Sequence, residues 1–390
     1  MSGLHKQFLK KIKEQERAFG LSLLSEDPDE SESNSNYFSP TPQPPNELRT
    51  DINEERHGHI RETYNDTKRD VFPIADIYTD PRSGVRFQTY FKPPSSSNAP
   101  IFICHHGAGS SSMTFCKLAQ SLDNEYGKNN EYPGLFTYDM RGHGDSSTTI
   151  PPDYSLATIT NDCEFIIDEF HAKHALRSSI YLLGHSLGGS VLTSYLVANP
   201  DNAYKFKGLI VLDIVEETAI KALSAMPQFV RKRPTTFGDY QEAIDWHIKE
   251  SHLLHSEESA LVSVPDLLRE CPNGLIWKTN LQETEPFWET WFTGLSENFI
   301  NCGKTQHIAK LLVLSGHETL DTNLIIGQMQ GKYQLIVFNN TQNTGHFIQE
   351  DIPTQISISL VDFVRRNDSP NEYMKKEFGF VPKWGGKIHD

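Results

Sequence analysis

The chain has 390 residues and a formal charge of −15 at neutral pH, from 36 basic and 51 acidic residues. A negative charge of this size argues against nucleic acid or an anionic membrane surface as the partner. The five cysteines are odd in number and scattered, which is typical of free thiols in a reducing compartment rather than of a disulfide framework. We therefore expect a cytoplasmic or nuclear protein that is not secreted and binds neither nucleic acid nor membrane.

The first 65 residues differ in composition from the rest of the chain. Residues 4–19 place apolar side chains at helical spacing, which predicts a short amphipathic helix. Residues 25–60 are acidic, rich in serine and proline and poor in aliphatic residues, a composition typical of disorder. The sequence therefore predicts that residues 1–65 form an acidic, mostly disordered extension.

From Val71 onward, apolar strands alternate with helices. These strands are apolar throughout rather than alternating, as expected for parallel strands buried on both faces. The predicted class is therefore α/β, with a mostly parallel sheet covered by helices on both faces. The pattern predicts a hairpin over 76–91, strands at 100–104, 134–139, 179–183, 208–212, 311–315 and 334–338, and helices at 114–126, 156–170 and 353–366. A further amphipathic segment follows the strand at 179–183 and runs toward residues 199–200.

The alternation stops between Val215 and His307. This segment holds four of the five tryptophans and is too long for a loop, so it predicts a helical cap over the carboxyl edge of the sheet. The expected organisation is a core of residues 66–215 and 306–368, a cap of residues 216–305 and a tail of residues 369–390.

Residues 180–192, I-Y-L-L-G-H-S-L-G-G-S-V-L, contain a G-x-S-x-G motif between an apolar strand and a helix. The turn between them has to be very tight, so the positions two before and two after Ser186 need residues without a Cβ atom. This context favours Ser186 as a nucleophile held above the sheet. The alternative is a tight turn whose serine only caps the helix.

A serine hydroxyl needs a base to take its proton and an acid to orient that base. Where a strand–turn–helix serine is the nucleophile, the acid and then the histidine follow it along the chain. His346 lies on the loop after the last strand and is the candidate base. For the acid, the spacing leaves two candidates open, Asp213 after the sixth strand and Asp321 after the next one.

Attack of a serine nucleophile on a carbonyl group produces an oxyanion, which backbone N–H donors stabilise. We expect one from Leu187, at the start of the nucleophile helix, and one from Gly107 or Ala108 in the loop H-H-G-A-G at 105–109. The turn R-G-H-G at 141–144 is interpreted as scaffold. No metal site is expected, because the histidines are dispersed and the pair in H-L-L-H at 252–255 lacks a third ligand in the sequence.

Five further stretches carry a resemblance to a known family. They are V-L-D-I-V-E-E-T-A at 211–219, F-V-R-K-R-P-T-T-F at 229–237, A-I-D-W at 243–246, F-W-E-T-W-F-T-G-L-S at 287–296 and I-G-Q-M-Q-G-K at 326–332. With the G-H-S-L-G-G turn, they make the chain resemble the protein phosphatase methylesterases, a family of α/β-hydrolases, over about residues 71–366.

This resemblance implies an α/β-hydrolase fold with a helical cap after the strand ending at Asp213, and it implies Asp213 rather than Asp321 as the acid. The implied reaction is demethylation of the C-terminal leucine methyl ester on the catalytic subunit of type 2A protein phosphatase, by a monomer without a cofactor. Trp288, Trp291 and Phe292 in the cap are candidates for substrate binding. The alternatives are a carboxylesterase of broad specificity for small esters, and a phosphatase-binding regulator whose binding matters more than its hydrolysis.

Overall fold

The computed structural model describes residues 46–127, 131–174, 177–304, 307–316, 319–338 and 344–368. The amphipathic helix predicted at 4–19 and the tail from residue 369 lie outside the described residues.

The described strands of the core form one eight-stranded sheet in the order β1-β2-β4-β3-β5-β6-β10-β11. β1 and β2 form the predicted hairpin, and β2 pairs with β4 in antiparallel fashion. The other six strands, β4, β3, β5, β6, β10 and β11, run parallel to one another. The strands are β1 (Ile74–Thr79), β2 (Arg86–Lys92), β3 (Ile101–His105), β4 (Gly134–Tyr138), β5 (Ile180–His185), β6 (Gly208–Leu212), β10 (Ala309–Ser315) and β11 (Gln334–Phe338), with β7 (Thr236–Phe237), β8 (Leu268–Cys271) and β9 (Gly274–Trp277) in the cap.

Helices pack on both faces of this sheet, as the uniformly apolar strands predict. Short 3-10 or π segments occur at Ser112–Phe115, Pro200–Lys205, Trp246–Glu250 and Leu281–Phe287. The α-helices are α1 (Asn46–Val71), α2 (Cys116–Tyr126), α3 (Leu156–His174), α4 (Leu187–Ala198), α5 (Glu216–Leu223), α6 (Met226–Lys232), α7 (Tyr240–Asp245), α8 (Glu257–Asp266), α9 (Trp288–Phe292), α10 (Leu295–Asn301), α11 (Thr322–Met329), α12 (Ile348–Asp351) and α13 (Pro353–Asp368).

Successive residues of each central strand enter two different hydrophobic cores. On β3, Ile101 and Ile103 pack with side chains of α3 and α4, whereas Phe102 and Cys104 pack with side chains of α2 and α13. This two-sided burial follows from the alternation of side chains along a strand. The predicted α/β class is confirmed.

The cap lies between β6 and β10. The sequence predicts a helical cap, but the observed cap contains strands as well as helices. β7, β9 and β8 form a three-stranded antiparallel sheet within it. The turn between β8 and β9 ends at Gly274, which has a φ of 120° and would place a Cβ atom 2.2 Å from the carbonyl oxygen of Phe237. Only glycine fits there. The strands are too short for their pattern to be recognised among the surrounding helical residues.

Residues 46–71 form α1, where the composition predicted disorder up to residue 65. Tyr64 and Lys68 both donate to the buried carboxylate of Asp266 in the cap, the lysine over 2.8 Å. His57 stacks on Tyr240 of the cap with ring centroids 4.5 Å apart. The prediction failed because this helix buries few apolar side chains, among them Ile60 and Val71, and polar and aromatic contacts add to its attachment.

Candidate active site

Ser186 occupies the turn between β5 and α4 with φ 51° and ψ −123°, a strained conformation for a residue with a side chain. A Cβ atom on Gly188 would lie 2.1 Å from the carbonyl oxygen of His105, and one on Gly184 would lie 2.4 Å from the backbone of Gly188. Both glycines are therefore required by close backbone contact. The turn holds Ser186 at the carboxyl end of β5, where its side chain faces the cavity described below.

Asp213 ends the adjacent strand β6 and also has a positive φ, of 51°. Its buried carboxylate accepts a hydrogen bond from the backbone N–H of Ser315 over 2.6 Å at Oδ1. Its Oδ2 lies 3.0 Å from Nδ1 of His346. Since a carboxylate only accepts, Nδ1 carries the proton and Nε2 is the basic nitrogen of this imidazole.

Asp321, the other acid that the spacing left open, lies at the N-terminus of α11. Its Oδ1 accepts from the backbone N–H of Leu324 over 2.9 Å, and its Oδ2 accepts from the hydroxyl of Ser296. These contacts are those of a helix N-cap. The structure thus brings Asp213, and not Asp321, to His346.

His185 holds the loop that carries His346. Its Nε2 lies 2.8 Å from the carbonyl oxygen of His346, and its ring lies against those of His346 and Phe347 at centroid distances of 4.7 and 5.0 Å. Burial keeps the pKa of His185 well below its ordinary value, so the ring is neutral and its Nε2–H donates to the carbonyl. The residue next to the candidate nucleophile therefore positions the candidate base.

The loop after β3 passes close to Ser186. A Cβ atom on Gly107 would lie 3.0 Å from Cβ of Ser186. The N–H of Gly109 donates to Nε2 of His143 over 3.0 Å and is thereby occupied. Gly107 and Ala108, together with Leu187 at the start of α4, remain the candidate donors for an oxyanion.

Two buried imidazoles fix the shape of this loop. Nδ1 of His106 lies 2.8 Å from the carbonyl oxygen of Gly107. Its Nε2 accepts a hydrogen bond from the backbone N–H of Met140 over 2.9 Å. His143 contacts the carbonyl of Arg141 through Nδ1 over 2.9 Å, and burial lowers its pKa to about 4. Arg141 pairs with Asp162. The R-G-H-G turn is therefore scaffold with a defined task, since it supports the loop beside Ser186.

A cavity that is partly open to solvent separates Ser186 and His346 from the cap. Trp291 and Phe292 line it. Trp288, the third aromatic residue predicted to bind substrate, does not line it, because its buried indole lies in the cap core, where Nε1 donates to the hydroxyl of Thr284 over 2.8 Å. Other apolar residues of the wall are Ala108, Ile214, Ala219, Ala222, Leu223, Met226, Phe229, Trp246, Leu253, Leu254, Leu267, Trp277, Leu281 and Phe347.

Three titratable residues of the cavity wall escaped the sequence analysis: Arg233, His247 and Glu350. Arg233 belongs to the F-V-R-K-R-P-T-T-F stretch, where three basic residues look alike in the sequence. Glu350 looks like an ordinary helix residue, but its carboxyl accepts from the hydroxyls of Thr114 and Ser263, each over 2.5 Å. Burial raises its pKa to about 8. Only the packing of the cap onto the core reveals these side chains.

Comparisons with known proteins identify the family. Residues 100–353 match the family model of the alpha/beta hydrolase fold. A protein named protein phosphatase methylesterase 1 from Candida albicans is 45% identical over 389 residues, covering 100% of each chain. The proteins of that name from Yarrowia lipolytica and Saccharomyces cerevisiae are 41% and 37% identical, over 75% and 80% of this chain and 71% and 79% of their own. The chain belongs to the protein phosphatase methylesterase family. It is a carboxylic ester hydrolase, as the sequence predicted.

Solved structures share the fold of this esterase at low sequence identity. The crystal structure of E-2-(acetamidomethylene)succinate hydrolase has a TM-score of 0.59 at 16% identity, covering 75% of this chain and 98% of that one. A thioesterase domain from the curacin biosynthetic pathway has a TM-score of 0.51 at 17% identity, covering 74% and 99%. These likenesses concern the fold alone, and they agree with the predicted α/β-hydrolase architecture.

Neither a metal cluster nor a membrane span is found in the part of the esterase that the structure describes. Its His, Cys, Asp and Glu side chains form no group of three that could hold a metal ion. None of its described helices combines the length and the apolar character needed to cross a bilayer.

Proposed function

We propose that this esterase removes the methyl group from the C-terminal leucine methyl ester of the type 2A protein phosphatase catalytic subunit, through an acyl-enzyme on Ser186. The observation that carries the proposal is the placement of Ser186 and His346 on the wall of a cavity that the cap also lines, with the carboxylate of Asp213 3.0 Å from Nδ1 of His346. The names of the relatives supply the substrate class, since each is called a protein phosphatase methylesterase. We also propose that the enzyme acts as a monomer in the cytoplasm or nucleus; its five cysteines are free thiols.

In the acylation step, Oγ of Ser186 attacks the ester carbonyl carbon while Nε2 of His346 takes its proton. The carboxylate of Asp213 stabilises the resulting imidazolium through the 3.0 Å contact at Nδ1. The carbonyl oxygen becomes an oxyanion that accepts from the N–H of Leu187 and from that of Gly107 or Ala108. His346 then donates its proton to the methoxy oxygen, and methanol leaves.

Deacylation repeats these steps with water. His346 takes a proton from the water as it attacks the acyl carbon, the oxyanion forms at the same donors, and Ser186 leaves with the proton returned by His346. The products are the free C-terminal carboxylate and regenerated enzyme. Apolar residues of the wall such as Met226, Phe229 and Leu254 give the leucine side chain a surface to pack on.

Methyl release from the carboxymethylated phosphatase 2A catalytic subunit tests this proposal. We expect rapid release by the wild-type enzyme and none by Ser186→Ala. Ser194→Ala, on the same helix α4, is the matched control and keeps full activity. If neither the wild type nor the control releases methyl groups, the substrate assignment fails, and a series of p-nitrophenyl esters of rising chain length then tests the broad-specificity alternative. Phosphatase binding that survives Ser186→Ala, without methyl release by the wild type, favours the regulator instead.

A further inference from the structure

Arg233 is the one Lys or Arg side chain among the described residues that line the mostly apolar cavity. It follows α6, and its guanidinium carbon lies 3.6 Å from the ring centroid of Trp277. No Asp or Glu among the described residues forms an ion pair with it, and desolvation by the surrounding protein lowers its pKa to about 9. Arg233 is partly buried, and a guanidinium partly removed from water without an anionic partner destabilises a protein, so its position calls for an explanation.

The polar groups closest to Arg233 do not neutralise it. His143 and His247 are near enough to feel its charge, and burial lowers the pKa of each to about 4, so both are neutral. Nδ1 of His247 lies 2.7 Å from the carbonyl oxygen of Ala243. Glu350 is the one carboxyl on the described cavity wall, and both its oxygens already accept from hydroxyls. The free protein therefore offers a stacked guanidinium whose donors have no anionic acceptor.

We propose that Arg233 and Trp277 form the binding site for an acidic side chain of the substrate peptide, upstream of the terminal ester. The planar guanidinium can bind a carboxylate through two parallel hydrogen bonds, and stacking on the indole fixes its orientation for this task. The inference rests on the proposed function, because it assumes that a peptide tail enters this cavity.

The position within the cavity points to a side chain rather than to the reacting group. The ester is neutral, and its carbonyl has to lie between Ser186 and the loop at 105–109. Trp277 belongs to β9 of the cap and packs against Trp246 and Phe237, with ring centroids 5.8 and 5.3 Å away. The guanidinium thus lies on the cap side, and the proposal places the chain that precedes the ester there.

Calorimetric binding of short peptides to the full-length Ser186→Ala protein tests the inference without requiring turnover. The peptides end in leucine methyl ester and carry one aspartate at each of the four preceding positions in turn, or asparagine at the same position. We expect one aspartate position to bind roughly tenfold to a hundredfold more tightly than its asparagine counterpart, the range of a charge-assisted hydrogen bond. Adding Arg233→Gln removes this difference, whereas adding Arg233→Lys keeps part of it.

Arg231→Gln is the matched control, since Arg231 is exposed on the preceding turn of α6 and its loss leaves the preference intact. A peptide with a free C-terminus and no aspartate separates the two sources of a carboxylate. If only that peptide depends on Arg233, the site holds the product and the inference is wrong. Equal affinities for aspartate and asparagine at every position, or no binding of any peptide, also overturn it. If the proposed function fails but the inference holds, the result is different: peptide binding still discriminates between aspartate and asparagine, while the wild-type enzyme releases no methyl group from the phosphatase.

Discussion

At the carboxyl edge of the sheet, Ser186 and Asp213 each hold a positive φ of 51°, imposed by the turns that end β5 and β6. Across the cavity, Arg233 at the end of α6 has a φ of −59° and Trp277 lies in an ordinary strand. The first pair is placed by backbone geometry, and the second pair is placed by side-chain packing. The two sides of one cavity are therefore built by different means.

This difference has a consequence for substitutions on each side. A change that moves the backbone at the edge of the sheet displaces the reacting atoms and removes the chemistry, since catalysis requires placement within a fraction of an ångström. A change in the cap alters the shape and charge of the wall and affects binding. The core should therefore respond in kcat and the cap in KM.

The strongest expected effect on the core side comes from Gly188→Ala. The added Cβ atom would meet the carbonyl oxygen of His105 at 2.1 Å, so α4 has to move away from the loop that carries Gly107. We expect loss of methyl release and destabilisation by about 3 kcal/mol or more, measured by thermal unfolding. Gly127→Ala is the control, because its Cβ meets nothing within 4 Å. An active, stable Gly188→Ala protein would contradict the backbone account.

Asp213→Asn tests the orientation of His346 with little change of shape. The amide can still accept from the N–H of Ser315, but it no longer requires the proton of His346 to be on Nδ1. We expect kcat for methyl release to fall by about 10⁴-fold with KM little changed.

Asp321→Asn is the matched control for that substitution. Asparagine caps helices as well as aspartate does, so the helix α11 and the activity should both persist. A loss of kcat in Asp321→Asn comparable with that in Asp213→Asn would show that the assignment of the acid is wrong.

The sequence predicts the core well because its features are local. The five residues of the G-x-S-x-G motif around Ser186 predict both the turn and the glycines that it requires. Two strands, Gly208–Leu212 and Gln334–Phe338, have the predicted bounds. The choice between Asp213 and Asp321 is different. Both follow a strand of the sheet, so their spacing leaves the choice open, and before the structure only the family resemblance favours Asp213. The three-dimensional register of β6 beside β10 shows that the carboxylate of Asp213 reaches His346.

The cap is predictable as a segment and not in its detail. Its length and tryptophan content mark it, but Trp288 and Trp291, three residues apart on the short helix α9, differ in whether they face the cavity. The same limit applies to Arg233, which no local pattern separates from the exposed Arg231. Helix α1 shows the limit at the other end of the chain, since its contacts with Asp266 and Tyr240 join residues nearly two hundred positions apart.

The smallest effect, and the sharpest test of the cap, comes from comparing Trp291→Phe with Trp288→Phe. Each indole donates one hydrogen bond, from Trp291 to the carbonyl of Tyr154 over 2.7 Å and from Trp288 to Thr284. Each substitution should therefore lower the free energy of unfolding by about 1 kcal/mol in thermal or urea denaturation. Only Trp291 lines the cavity, so only Trp291→Phe should raise KM, by roughly threefold to tenfold, with kcat unchanged. An equal rise of KM in both variants would mean that the cap acts through its overall stability, and the division between a core that sets kcat and a cap that sets KM would then not hold.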